Sequence, residues 1–175
     1  MKKKTLALVL ALALLVAGVV GGTLAWLTDQ TAEVKNTFTV GDINIGLTET
    51  TADYKMVPGN TIAKDPTVTV KANSEACWLF VKVTESTDLK DFITYAIAEG
   101  WTELEAGVYY REVPAAAADQ TFSVLAGDAV TVKSDVTRTM LETAKTDAPT
   151  LTFKAYAIQR DHFATADAAW AEVSK

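Results

Sequence analysis

Cys77-Trp78-Leu79-Phe80-Val81-Lys82-Val83-Thr84 decides the fold. Its first half is apolar at every position, and its second half alternates. Successive side chains of a strand point to opposite faces, so a run apolar on both faces reads as a central strand covered on both sides. Outward from it, Pro66 to Ala72 (PTVTVKA) alternates with Val68 and Val70 inward, and Phe92 to Ala98 sets Ile93, Tyr95 and Ile97 on one face. Gly107 to Val113 (GVYYREV), Ala129 to Lys133 (AVTVK) and Thr150 to Ile158 (TLTFKAYAI) continue the pattern. Thr- and Val-rich segments of this length, punctuated by turns, are strands. Seven or eight of them with few helical stretches between predict an all-β, jelly-roll-like two-sheet β-sandwich rather than βαβ units.

Three details refine this. Asn36 to Glu49 (NTFTVGDINIGLTE) carries Phe38 and Val40 on one face and then Ile43, Ile45 and Leu47, a change of phase that needs a bulge or tight bend at Gly41-Asp42. Val57-Pro58-Gly59-Asn60 reads as a turn. At the end of the chain, Thr165 caps a short C-terminal helix (165–174) in which Ala166, Ala169, Trp170 and Val173 recur at spacings of three and four. Trp170 is the residue to dock this helix on the sandwich. Ala115 to Ala118 is a helical turn or a loop.

The chain starts with Lys2-Lys3-Lys4, an apolar run from Leu6 to Val20, and Gly21-Gly22-Thr23-Leu24-Ala25. A basic start, an apolar middle and a small-residue site are the three parts of an export signal. Residues 1–25 are therefore read as a cleaved signal peptide, with the cut between Ala25 and Trp26. Uncleaved, the uncharged run from Thr5 to Leu27 is long enough to be a membrane anchor. The domains expected are the signal peptide, an N-terminal arm at 26–35, and a sandwich domain at 36–175.

Of 16 basic residues the leader takes three lysines; the remaining 13 face 22 acidic ones, a net charge of −9. Such a domain does not bind nucleic acid or an anionic membrane by charge. Cys77 is the only cysteine, so no intramolecular disulfide forms, and its apolar flanks make it a buried small residue.

Chemistry finds little support. One histidine, His162, makes no HExxH pair and no multi-histidine zinc site. None of Ser74, Ser86, Ser123, Ser134 and Ser174 lies in a nucleophile elbow. Thiolate formation is disfavoured inside the most apolar strand. Catalytic, metal and cofactor residues are accordingly expected to be none. The aromatic residues read as core first; exposed Trp101 with Tyr109 or Tyr110 is the alternative, a monomeric adhesion or carbohydrate-binding module.

Assembly fits the arm better. Trp26, Leu27, Asp29, Ala32 and Val34 lie in a segment that precedes the first strand and that the membrane holds until cleavage. Released, such an arm adds itself as a strand to the open edge of a neighbour, or stays a disordered tail. Donor at one end and acceptor at the other give head-to-tail fibres.

Gly22-Thr23-Leu24-Ala25-Trp26-Leu27-Thr28-Asp29, followed by Asn36-Thr37-Phe38-Thr39-Val40-Gly41-Asp42-Ile43-Asn44-Ile45, resembles the start of TasA- and camelysin-type proteins of Gram-positive bacteria. Pro58-Gly59 and Lys64-Asp65 match that family's turn and second strand, and Ala155 to Gln159 with Phe163 to Ala171 looks like its clostridial branch. The resemblance implies signal removal by a SipW-type peptidase at Ala25–Trp26, a jelly roll, and a secreted biofilm-matrix fibre subunit built by donor-strand exchange. It also implies, through camelysin, a surface metalloendopeptidase, for which this chain has no recognisable zinc motif.

Overall fold

The computed structural model describes Lys3, residues 42–51 and residues 54–175. The expected signal peptide, its cleavage site, the arm and the bend at Gly41 lie outside the described residues. From Asp42 onward the chain belongs to one unit, Val40–Lys175.

Ten strands are described, all paired antiparallel: β1 (Ile45–Thr48), β2 (Thr61–Ala63), β3 (Thr67–Val70), β4 (Cys77–Glu85), β5 (Ile93–Thr94), β6 (Thr102–Glu105), β7 (Val108–Val113), β8 (Gln120–Ser123), β9 (Ala129–Val132) and β10 (Leu151–Gln159). From Asp42 onward three short helices accompany them: α1 (Leu89–Phe92), α2 (Arg138–Ala144) and, after the last strand, α3 (Ala166–Val173). The all-β class and the C-terminal helix are as expected. Thr165 caps α3 by accepting from the Ala168 N–H.

The largest sheet runs β10-β4-β7-β6, and β4 is its central strand. Cys77, Leu79, Val81 and Val83 point to one core with Val68, Val70 and Val124 from the facing layer. Trp78 and Phe80 point the other way, under Ala166, Ala169 and Trp170 of α3. Thus the doubly apolar run of β4 has an apolar cover on each face, which is what its sequence required.

The facing layer differs from a single second sheet. It is broken into two three-stranded sheets, β1-β3-β8 and β2-β9-β5. Strands β2 and β3 are separated only by Lys64–Pro66, and β8 and β9 only by Val124–Asp128. The breaks are stitched by the Lys64 N–H to the Asp128 carbonyl at 2.7 Å and the Val124 N–H to the Pro66 carbonyl at 2.9 Å. Pro66 has no N–H to continue a ladder, and the turn at Ala126–Asp128 passes through Gly127 at φ +65°, so regular pairing stops there. A second core, with Leu89, Phe92, Ile93, Leu125, Val130 and Val132, fills the space under the β2-β9-β5 sheet.

The Pro58-Gly59 turn forms as read, with Gly59 at φ +80° and the Asn60 N–H on the Val57 carbonyl at 3.0 Å. Ala115 to Ala118 is loop, and only Ile93–Thr94 of the expected Phe92–Ala98 strand is ladder.

Candidate functional site: a seam between two sheet edges

Among the described residues, β1 and β10 each have a strand partner on one side only, and each ends its sheet. The two edges lie beside one another. Leu47, Thr48 and Glu49 from the β1 side and Leu151, Thr152 and Phe153 of β10, with Pro66, line a groove of about 280 Å³ between them. Leu47 is 37% exposed, although Ile43 and Ile45 of the same alternating set pack against the core. An apolar side chain on an unpaired edge, next to a second unpaired edge, is a place where an added strand gains both main-chain hydrogen bonds and apolar cover.

Leu151 and Thr152 also line a second hollow of about 420 Å³, which continues the seam past Tyr54, Met56, Ile62 and Lys64. Lys64 is 7% exposed. Its Nζ donates to Glu49 Oε1 at 2.6 Å and lies 4.6 Å from the Tyr54 ring centre and 5.4 Å from that of Phe153. The Tyr54 phenol donates to the same carboxylate at 2.7 Å. Burial, then the Glu49 carboxylate, pushes the Tyr54 phenol well above its ordinary range, so it stays a donor. Asp65, next in the chain, accepts from the Thr50 hydroxyl and from the Thr50 N–H, which hold its carboxyl below the usual range. These contacts tie the segment after β1 to the segment after β2 and fix the shape of the seam.

The opposite side of the sandwich is shut. Arg111, on the inward face of β7, stacks 3.9 Å from the Phe122 ring centre and 5.4 Å from that of Trp101. Its Nε is buried with no hydrogen-bond partner. Trp101 Nε1 donates to the Ser123 carbonyl at 2.9 Å, joining the β6 edge to the β8 edge. The guanidinium and the indole thus fill the space between the β6 edge and the β8 edge.

The residues considered for chemistry stay apart. His162 is exposed, in a 3₁₀ turn (Arg160–His162) after β10. Cys77 is fully buried, and burial pushes its thiol up to about 11. Ser74 Oγ accepts from the Asn44 N–H, and the Ser86 hydroxyl donates to Asp88. Nor do the three aromatic residues named for sugar binding share a platform. Tyr110 packs with Trp78 and Phe80 on the helix-covered face, Trp101 is taken up by Arg111, and Tyr109 alone opens on a cleft.

A family model described as camelysin metallo-endopeptidase matches residues 1–91. The chain belongs to that family. The camelysin match runs from the first residue through β1 and β4 into α1, and so includes the β1 wall of the seam but not β10. No curated protein and no solved structure matches the chain. The family description implies a metal. Among the described residues no three of His, Cys, Asp and Glu converge on a common point. The donors that a zinc site prefers are one exposed imidazole and one thiol held protonated in the core, so these residues do not fit the ion.

Proposed function

We propose that this camelysin-family chain is a secreted structural protein of the surface of a Gram-positive bacterium, a fibre subunit of the extracellular or biofilm matrix that self-associates through its N-terminal arm. The observation that carries this is the seam: two edges, β1 and β10, which have no second strand partner among the described residues, flank a groove, while Trp101 joins the opposite edges, β6 and β8. Residues 26–35 of a neighbour supply the donor strand, with Trp26, Leu27, Ala32 and Val34 as its apolar side chains. Strand addition of this kind takes affinity from the backbone and selectivity from alternate side chains.

The basic start and apolar middle of residues 1–25 act as a signal, cut between Ala25 and Trp26 by a SipW-type peptidase. Cutting is the switch: the arm is held at the membrane before it and is available to a neighbour after it. Contact with the membrane is confined to the signal segment, and nucleic acid is not a partner.

Negative-stain electron microscopy tests this on protein beginning at Trp26, beside protein lacking residues 26–35 and a Leu47→Glu variant of the first. Filaments are expected from the first alone. Filaments from the shortened chain, or dispersed particles from all three, would refute the proposal.

A further inference from the structure

A third hollow lies apart from the seam. It has a volume of about 460 Å³, and Leu89 and Ile93 separate it from the seam. Glu85 at the end of β4, Tyr109 of β7, Tyr95 after β5, Lys90 of α1 and Lys133 after β9 line it. We propose that this cleft is a saccharide site that takes a short, carboxylate-bearing glycan.

Three features select that ligand class. A sugar ring has an apolar C–H face and a polar edge, and it needs aromatic walls beside hydrogen-bonding groups; Tyr95 and Tyr109 are both half-buried, so each keeps part of its ring on offer. The Tyr95 phenol donates to Glu85, which orients the ring, and a carboxylate has lone pairs left for sugar hydroxyls. Burial first, and then the nearby carboxylates, keep both phenols protonated well above neutral pH, so they remain donors.

Charge decides between neutral and acidic sugars. The mature chain is strongly acidic, yet Lys90 and Lys133 make no ion pair with any described residue. The Lys133 N–H donates to the Phe92 carbonyl at 2.9 Å, holding this end of β9 against α1. Two ammonium groups against the one carboxylate of Glu85 leave this lining net positive, which suits a chain of uronic acids whose carboxylates meet the lysines while the rings lie on the phenols.

The full-length chain, titrated calorimetrically with tetragalacturonate and separately with neutral maltotetraose, tests this. Saturable binding of tetragalacturonate is expected, weakened by added salt, with maltotetraose weaker by about tenfold or more. Tyr109→Ala and Lys133→Glu should each lower the affinity for tetragalacturonate by about tenfold or more. Lys133 belongs to neither core, whereas Tyr109 packs on one, so the Lys133 variant reports on binding even if Tyr109→Ala disturbs the fold. No saturable binding, equal affinity for the neutral sugar, or full affinity in Lys133→Glu would each overturn the proposal.

Discussion

Gly107 stands where β6 turns into β7, at φ +76°, and a Cβ there would lie 2.6 Å from the Val83 carbonyl oxygen. That carbonyl belongs to the central strand, whose Val83 N–H donates back to the Gly107 carbonyl at 2.7 Å. Both the backbone conformation and the close approach exclude a side chain. Gly107→Ala is expected to cost about 2–3 kcal/mol in urea unfolding. Gly46→Ala, with open space around its Cβ, is the control and should stay within about 0.5 kcal/mol. Cys77 makes a second prediction at this scale. Its thiol ordinarily titrates near 9.0 and is pushed up to about 11 by burial, so the folded chain binds a proton that the unfolded chain has lost. Stability from this residue is therefore complete below pH 9 and declines as pH rises towards 11, by on the order of 2 kcal/mol. Cys77→Ala, compared with the parent by urea unfolding at pH 8 and pH 10.5, should remove that part of the decline.

Among the elements, α3 carries the clearest test. Trp170 meets Phe80 at 5.3 Å and Tyr156 edge-on at 5.2 Å, and its Nε1 donates to Glu105 at 2.8 Å. The helix thus seals the outer face of three strands with one side chain. Trp170→Ala should cost about 3–5 kcal/mol, read from the unfolding midpoint, and should expose Trp78 and Phe80. This helix was legible in the sequence because its cap and its three-and-four spacing are local signals. So was β4, whose doubly apolar run has one reading. Helix α2 was missed, although Thr137 caps it by accepting from the Met140 N–H and Met140, Leu141 and Ala144 share its packed side. Seven residues with few apolar ones give too short a period to stand out from loop. The three-residue β2 and the β8 strand were missed for the same reason: their pairing comes from distant partners, β9 and β3. Pro66 was visible as the start of a strand, but that it splits a layer depends on which strands face it.

At the scale of the molecule, the two sides of one sandwich are unlike. One side is locked by a stacked guanidinium and an indole hydrogen bond; on the other, β1 and β10 have no second strand partner among the described residues and border a groove. The sequence pointed to an arm in search of an edge but named no edge, because an edge is a property of strand order, and β1 and β10 are separated by most of the chain. Nor did it signal the Lys64–Glu49–Tyr54 contacts, which join residues whose only local mark is charge within a turn-rich stretch. The most direct test of arm-in-seam assembly is disulfide trapping between two preparations beginning at Trp26, one carrying Val34→Cys and the other Leu47→Cys. The buried Cys77 leaves each with a single accessible thiol. Under mild oxidation a covalent dimer should form in the mixture and exceed what either variant gives alone. If mixing yields no more dimer than the separate variants, the arm does not occupy the seam and the central claim fails.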